Sequence, residues 1–499
     1  MLGNTSSVAC AQLKGIETIP VGCEISIFGG IPGIQIVGLP GASVLESRLR
    51  VRCALKHVGF EMPRFLVTLN LSPSEMRKDG TGYDLPIALA ILIATGQISP
   101  EWTYKTLFVG ELGLDGSVYP VRGQLAYALH ASREGLTLVS AGIDDSVAPL
   151  GLKQKVIKNV ADLKRRPHDV PERLSHTDNS QSEKPAELDY ADVIDQDLAK
   201  RALTIAALGH HGIIMVGPPG TGKTMLARRL PSILGKLGDE EQTEVMLLHS
   251  VAGLPTQSIE HGTKPFRAPH HSISSAALVG GGRPVIPGEI SLAHKGVLFM
   301  DELAEFSRSS LEALRQPIEE RQVRITRVEG AFVFPCDFQL VCASNPCPCG
   351  YLGDTEHVCR CSATAVEHYQ QKLGGPLMDR LDMRIDVSRP ASHLMLRDTS
   401  SLSSATMREQ VSQGEEFRRW RRSHKLLAST TKRKEIPEGF SEDGLKQLEQ
   451  FSRGLALSGR ATLKTSRVAR TIADLNKHEL VSADDVAEAC AYRQRGNVS

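Results

Sequence analysis

The sequence predicts an α/β protein: two successive α/β regions followed by a helical one. Three features carry that prediction. Short aliphatic runs alternate with helical stretches in residues 1–165 and again in 189–390, a polar stretch separates the two, and residues 391–499 carry only helical periodicity. At 499 residues the chain exceeds what one hydrophobic core supports, and roughly three domains are expected.

In chain order, Ile34-Gln35-Ile36-Val37 and Phe65-Leu66-Val67-Thr68-Leu69 read as strands and Ser43–Val58 as a helix, within what the spacing predicts to be a compact mixed sheet. Residues 166–188 read as a linker: polar, proline-bearing, with the run 175–182 of Ser, His, Thr, Asp, Asn and Gln, and without apolar periodicity. The second α/β region opens with a helix carrying Leu198, Ala202, Ile205 and Leu208 at helical spacing. Past a Ser-rich connection at 400–404, Val468, Ile472 and Leu475 are spaced for one buried helical face.

Composition narrows the class. With 41% hydrophobic and 23% charged residues the chain resembles a soluble globular protein. Its 58 basic and 57 acidic residues nearly cancel, so contact with nucleic acid requires a local patch. The N-terminus lacks a basic n-region with an apolar core, and the longest apolar run, Leu85–Ala94, is far below the ~20 residues that cross a bilayer. A cytoplasmic location and no membrane partner are expected. Six of the ten cysteines fall between Cys336 and Cys361, which points to a metal rather than to a disulfide scaffold.

The strongest motif is Gly217-Pro218-Pro219-Gly220-Thr221-Gly222-Lys223-Thr224, preceded by the apolar strand Ile213–Val216 and followed by a helix expected over Met225–Leu234. Strand, glycine-rich loop and helix in that order make a phosphate cradle: backbone N–H groups face the phosphates, Lys223 reaches the terminal ones and Thr224 ligates Mg²⁺. Gly296–Met300 reads as a second strand, expected beside the first, ending in Asp301 and Glu302. Asp301 would hold the hydrated Mg²⁺ and Glu302 would polarise the attacking water as general base. A third strand, Phe338–Ser344, ends at Asn345, whose amide could sense the γ-phosphate and orient that water. ATP and Mg²⁺ are the expected ligands.

Other stretches leave two readings each. Val323–Val328 and Ala331–Phe334 flank Glu329-Gly330 and predict a hairpin; Arg324 and Arg327 would face a central pore and grip a DNA backbone, or else be solvated arginines on a structural turn. Arg418-Arg419-Trp420-Arg421-Arg422 and Lys432-Arg433-Lys434 could track DNA or simply face solvent. Cys347, Cys349, Cys359 and Cys361 form two C-x-C pairs separated by nine residues, enough thiolates for a structural zinc, with His357 able to replace one sulfur; Cys336 and Cys342 read as core. The adjacent His270 and His271 are expected to point apart and to serve a loop or pore rather than a metal.

These motifs resemble AAA+ proteins, in which Asn345 would be sensor 1 and Arg380, in Gly375–Asp382, an arginine finger reaching a neighbouring subunit; its alternative is a salt bridge to Asp379 or Asp382. A finger acting in trans implies a head-to-tail ring, expected to be a homohexamer. Phe266–Ser272, Gly280-Gly281-Gly282, Pro287–Gly296 and Ser344–Gly350 resemble the magnesium-chelatase-like branch, and within it the ComM/YifB family over essentially the whole chain. That resemblance implies an ATP-dependent helicase that promotes branch migration of single-stranded or branched DNA in natural transformation, working with a recombinase. It also implies a helical C-terminal lid in which Arg460, after Ser458-Gly459, is a sensor 2 arginine contacting the γ-phosphate, while Arg467 pairs with surface acids.

Residues 77–131 resemble the proteolytic domain of Lon. Lys78–Asp84 puts Gly82 where the serine nucleophile would be, and Gly116–Leu125 puts Leu125 where the catalytic lysine would be, so no peptidase activity is expected and the region is read as a scaffold. The competing function is a protein-remodelling ATPase like the magnesium chelatase motor subunit; an inert ATP-binding scaffold is a third.

Overall fold

The computed structural model describes residues 6–143, 148–149, 151–174, 188–328, 330–354, 356–373, 377–389, 402–424 and 439–493. Lys432–Lys434, Glu329 and most of the expected linker lie outside the described residues.

The N-terminal unit contains two four-stranded sheets instead of the one expected. The first has the order Ser6–Lys14, Glu17–Phe28, Leu66–Ser72, Gly33–Val37; the second has Glu172–Leu174, Lys153–Val156, Thr137–Ser140, Thr106–Phe108. Thr106–Phe108 lies against Ser6–Lys14 without forming a ladder to it, which is where one sheet becomes two. The run Leu85–Ala94 is the helix Asp84–Ala94, apolar on all sides and packed on the first sheet. Fully buried Asp84 takes the Arg50 guanidinium at 2.7 Å and so ties this helix to Ala42–His57.

The second unit is built on five parallel strands in the order Phe266–Arg267, Val297–Met300, Gln339–Ser344, Ile213–Val216, Met383–Asp386. Gln339–Ser344 lies between the other two site-bearing strands, which corrects the expectation that Val297–Met300 would adjoin Ile213–Val216. All six of its residues are buried, and Val341 pairs with Phe299 on one side and Ile213 on the other. Three equally apolar strands carry no local mark of their order, because both faces of a parallel sheet are covered. The glycine-rich loop leads into a helix over Lys223–Arg229 that tightens to a 3₁₀ turn at Leu230–Ile233, where Pro231 offers no N–H to continue it. In helix Asp197–Gly209 the buried stripe runs through Ala199, Ala202, Leu203 and Ala206, whereas Leu198 is 83% exposed and does not belong to it.

Four helices, Ser404–Ser423, Glu442–Gly454, Gly459–Leu475 and Ala483–Ala491, share one hydrophobic core with this sheet, to which Val468, Ile472 and Leu475 contribute. Ser441, Ser458 and Ser482 cap the last three, each hydroxyl accepting a backbone N–H three residues on. Arg418 and Arg421 both reach the buried carboxylate of Asp474, at 3.4 and 3.0 Å. Those two arginines therefore fasten helices together and are mostly covered by that pairing. No helix among the described residues is long and apolar enough to cross a membrane.

Among the described residues the two units touch at a helix pair and at a turn. Helix Gln124–Arg133 lies on Asp239–Ala252, with Leu125 and Ala126 against Val245, Met246 and Leu247 and the Gly123 N–H donating to the Ser250 carbonyl at 3.1 Å. The turn at Lys14-Gly15-Ile16 sits against strand Gly330–Pro335.

Candidate nucleotide and metal sites

Parallel strands deliver their C-terminal ends to one edge of the sheet. Val216 lies beside Ser344, and Met300 beside Cys342, so the loop 217–224, Asp301, Glu302 and Asn345 emerge together. Gly220 and Gly222 hold φ of +80° and +86°, a conformation that admits glycine at no steric cost. The Thr224 hydroxyl donates to Asp301 Oδ2 at 2.7 Å, so the two oxygens converge on one point as a shared cation site requires. Lys223 is 8% exposed; its amine donates to the carbonyls of Gly217 and Pro218 at 2.6 and 2.8 Å and lies 3.4 Å from Asn345 Oδ1. Burial lowers that amine to about 8, with Asp301 and Glu302 opposing the shift. The five predicted side chains are thus brought together.

Glu302 sits at φ +51°, ψ +50°, the left-handed region that a glutamate occupies at a cost. His271 Nδ1 lies 3.3 Å from its carboxylate. The rings of His270 and His271 are 4.0 Å apart, which overturns the expectation that they diverge: they occupy an irregular loop, where the alternation of a strand does not apply. His271 is a contact that sequence reasoning missed; the signal available was only that Phe266–Arg267 pairs beside Val297–Met300, a tertiary fact.

Arg380 and Arg460 lie at the other edge of the sheet. Arg380 precedes strand Met383–Asp386, whose Met383 is level with Ile213, the first residue of the strand that leads into the loop. Both guanidiniums meet one oxygen of Glu319, at 2.8 Å from Arg380 and 2.6 Å from Arg460, and together they hold its carboxyl below the usual range. The acid that pairs with Arg380 is therefore neither Asp379 nor Asp382; Asp382 takes Lys464 at 2.9 Å. Arg460 does not extend to the glycine-rich loop of its own chain, because helix Gly459–Leu475 begins on the Glu319 side. Gly212, Gln339, Arg380, Arg460, Lys464 and Arg467 line a cavity of about 1080 Å³ at this edge.

The expected hairpin is present, with Val323↔Phe334, Arg324↔Val333 and Arg327↔Gly330 in register. Val323 and Ile325 are buried beneath it, whereas Arg324 and Arg327 face outward and make no ion pair among the described residues. Gly280–Gly281 and Ile286–Pro287 form a second hairpin beside it, close to the Arg327 guanidinium.

Cys347, Cys349, Cys359 and Cys361 bring their four sulfurs within 4.8 Å of one another. Sγ separations of 3.4, 3.7 and 3.6 Å link the first three. Four sulfurs ~2.3 Å from a tetrahedral zinc lie roughly 3.8 Å apart, whereas a disulfide needs ~2.05 Å, so the cluster fits the ion and not a bridge. Burial pushes the Cys347 thiol up, while the N–H groups of Tyr351 and Arg360 hold Cys349 down. His357 stacks on Tyr351 and pairs with Asp354 instead of joining the sulfurs. Cys336 and Cys342 are buried in the core, as expected.

In the N-terminal unit Gly82 faces Val109, Val121 and Tyr127, and Lys78 is fully buried with its amine on the Pro73 carbonyl.

The family described as magnesium chelatase, subunit ChlI, matches residues 189–395; its C-terminal part matches 401–493, and subunit ChlI of Mg-chelatase matches 23–141. YifB of Salmonella typhimurium is 38% identical over 489 residues, covering 96% of this chain and 95% of its own. Rv2897c of Mycobacterium tuberculosis is 39% identical over 509 aligned positions, covering 99% of each chain. Competence protein ComM of Haemophilus influenzae is 37% identical over 488 residues, covering 96% of this chain and 95% of its own.

Proposed function

The chain belongs to the ComM/YifB family of magnesium-chelatase-like proteins, and on that premise we propose that it is an ATP-hydrolysing ring motor that moves branched DNA during recombination in natural transformation. The observation that carries the reading is the division of the sheet: Lys223, Thr224, Asp301, Glu302 and Asn345 at one edge, Arg380 and Arg460 at the other. Stacked head to tail in a ring, each copy offers its arginine edge to its neighbour's phosphate edge, and a hexamer closes the arrangement.

In that arrangement Lys223 pairs with the terminal phosphates, and Thr224 and Asp301 hold Mg²⁺, which neutralises phosphate charge as it develops. Glu302 takes the proton of the attacking water and Asn345 orients it. Arg380 and Arg460 leave Glu319 for the neighbour's γ-phosphate, so Arg460 acts in trans rather than from a lid over its own loop. Arg324 and Arg327, outward on their hairpin, supply sequence-independent backbone contacts. The N-terminal unit is a Lon-like scaffold without a catalytic dyad, the C-terminal helices take the lid position, and the four cysteines hold a structural zinc.

A magnesium-chelatase-like remodelling of a protein partner is the second reading, favoured by the chelatase matches along the chain. Steady-state ATPase rates without DNA, with single strands and with a synthetic junction, at two salt concentrations, separate the two. Stimulation that fades with salt supports the DNA motor; a rate indifferent to every DNA moves the assignment to a protein target.

A further inference from the structure

Between Ser344 and Ala363 the described residues form neither helix nor strand, yet this irregular segment lies against the glycine-rich loop at Pro219. A single residue, Pro346, separates Asn345 from Cys347, whose side chain is fully buried. Gly350, one residue past Cys349, has φ +85° and presses on the glycine-rich loop: a Cβ there would stand 2.8 Å from Pro219 Cδ and 3.8 Å from Asn345 Cγ. A second strap closes the far side. Arg389 holds the fully buried Asp354 carboxylate at 3.0 Å and approaches the Pro219 carbonyl at 3.5 Å.

We propose that a zinc ion held by Cys347, Cys349, Cys359 and Cys361 is a splint for the nucleotide site, fixing the Pro219 turn against Asn345, so that the affinity for adenine nucleotide depends on the metal. The proposal rests on the nucleotide-site and zinc readings above and adds the link between them. The physical ground is that Gly350 directly follows Cys349 and its N–H donates to the Cys347 carbonyl at 3.0 Å, so the two sulfur-bearing residues that fix it belong to the cluster, while the Arg389–Asp354 pair restrains the segment at its other end. A loop closed through four metal–sulfur bonds keeps one conformation, and the loop it touches inherits that order. Release of the metal by chelation frees Gly350 and with it Pro219. Among the described residues these four sulfurs form the one such ligand set, and His357 and the two core cysteines stand apart.

The test uses untagged full-length chain purified under reducing conditions. Zinc is measured by elemental analysis, and the Kd of a fluorescent ATP analogue is measured in excess Mg²⁺ before and after a zinc-selective chelator, with circular dichroism recorded alongside. The expected result is about one zinc per chain, a tenfold or larger rise in Kd on removal with the helical signal kept, and recovery on adding zinc. Less than about one zinc per four chains overturns the metal site itself. Gly350→Ala leaves all four cysteines in place, sets a methyl against Pro219 and strains the backbone at φ +85°: zinc should be retained while Kd rises severalfold. Full zinc with an unchanged Kd in Gly350→Ala, together with an unchanged Kd once chelation has removed the zinc, overturns the splint while leaving the metal and nucleotide readings standing.

Discussion

Two α/β units of this chain each bury a lysine at the start of a glycine-bearing turn or helix, and they put it to opposite use. Lys223 has two acids and an amide within its surroundings and a loop shaped around anions. Lys78 is sealed, bonded to a carbonyl, with its charge disfavoured by burial and with Gly82 facing Val109, Val121 and Tyr127. A buried cation alone marks nothing; what distinguishes a reactive one is the set of partners brought to it from distant strands.

That contrast is open to test by exchange. The largest effect belongs to Lys223→Ala, which should abolish detectable ATP turnover, while Lys78→Met, an apolar replacement of similar length, should leave turnover unchanged in the same phosphate-release assay. Arg380→Ala should keep nucleotide binding and lower turnover on the order of a thousandfold, and mixing it with Lys223→Ala subunits should restore part of the rate if the finger acts across subunits. Glu302→Gln should retain ATP with turnover lowered about a hundredfold or more; an unaltered rate would remove Glu302 from the role of base. Leu125→Lys puts a charge into the apolar contact with Val245 and Met246, costing about 2–3 kcal/mol in denaturant unfolding, with no casein cleavage gained.

The smallest effect is a pH dependence. The Lys223 amine, lowered to about 8, is charged below that pH and neutral above it. Phosphate favours the charged form, so nucleotide affinity is full below about pH 8 and falls as pH rises through it, by at most tenfold per pH unit. Titration of the Kd from pH 7 to 9.5 checks the sign.

Local chemistry was legible in the sequence and long-range placement was not. The phosphate loop, Asp301 with Glu302, the hairpin under Arg324 and the cysteine set each declare themselves within a few residues. The order of the central strands does not, since Val297–Met300 and Gln339–Ser344 are equally apolar. Arg418 and Arg421 looked like a surface charge run because their partner, Asp474, lies over fifty residues away in the chain. Arg460 was assigned a role by resemblance, and only the meeting with Arg380 on Glu319 located it at the opposite edge. The split of the N-terminal strands into two sheets likewise depends on a ladder that stops, which no residue type announces.

The seat of the hairpin Gln322–Pro335 on the turn at Lys14-Gly15-Ile16 has a mechanical meaning. A two-stranded ribbon held only at its root bends when its tip is loaded, and the work goes into the ribbon. Braced at mid-length by a second folded body, it becomes a lever with a fulcrum. Val328 at its tip is 98% exposed, the strand behind it meets the N-terminal unit at Gly15, and that unit in turn meets helix Asp239–Ala252 through Leu125. The N-terminal unit thus stands as a support between that hairpin and helix Asp239–Ala252.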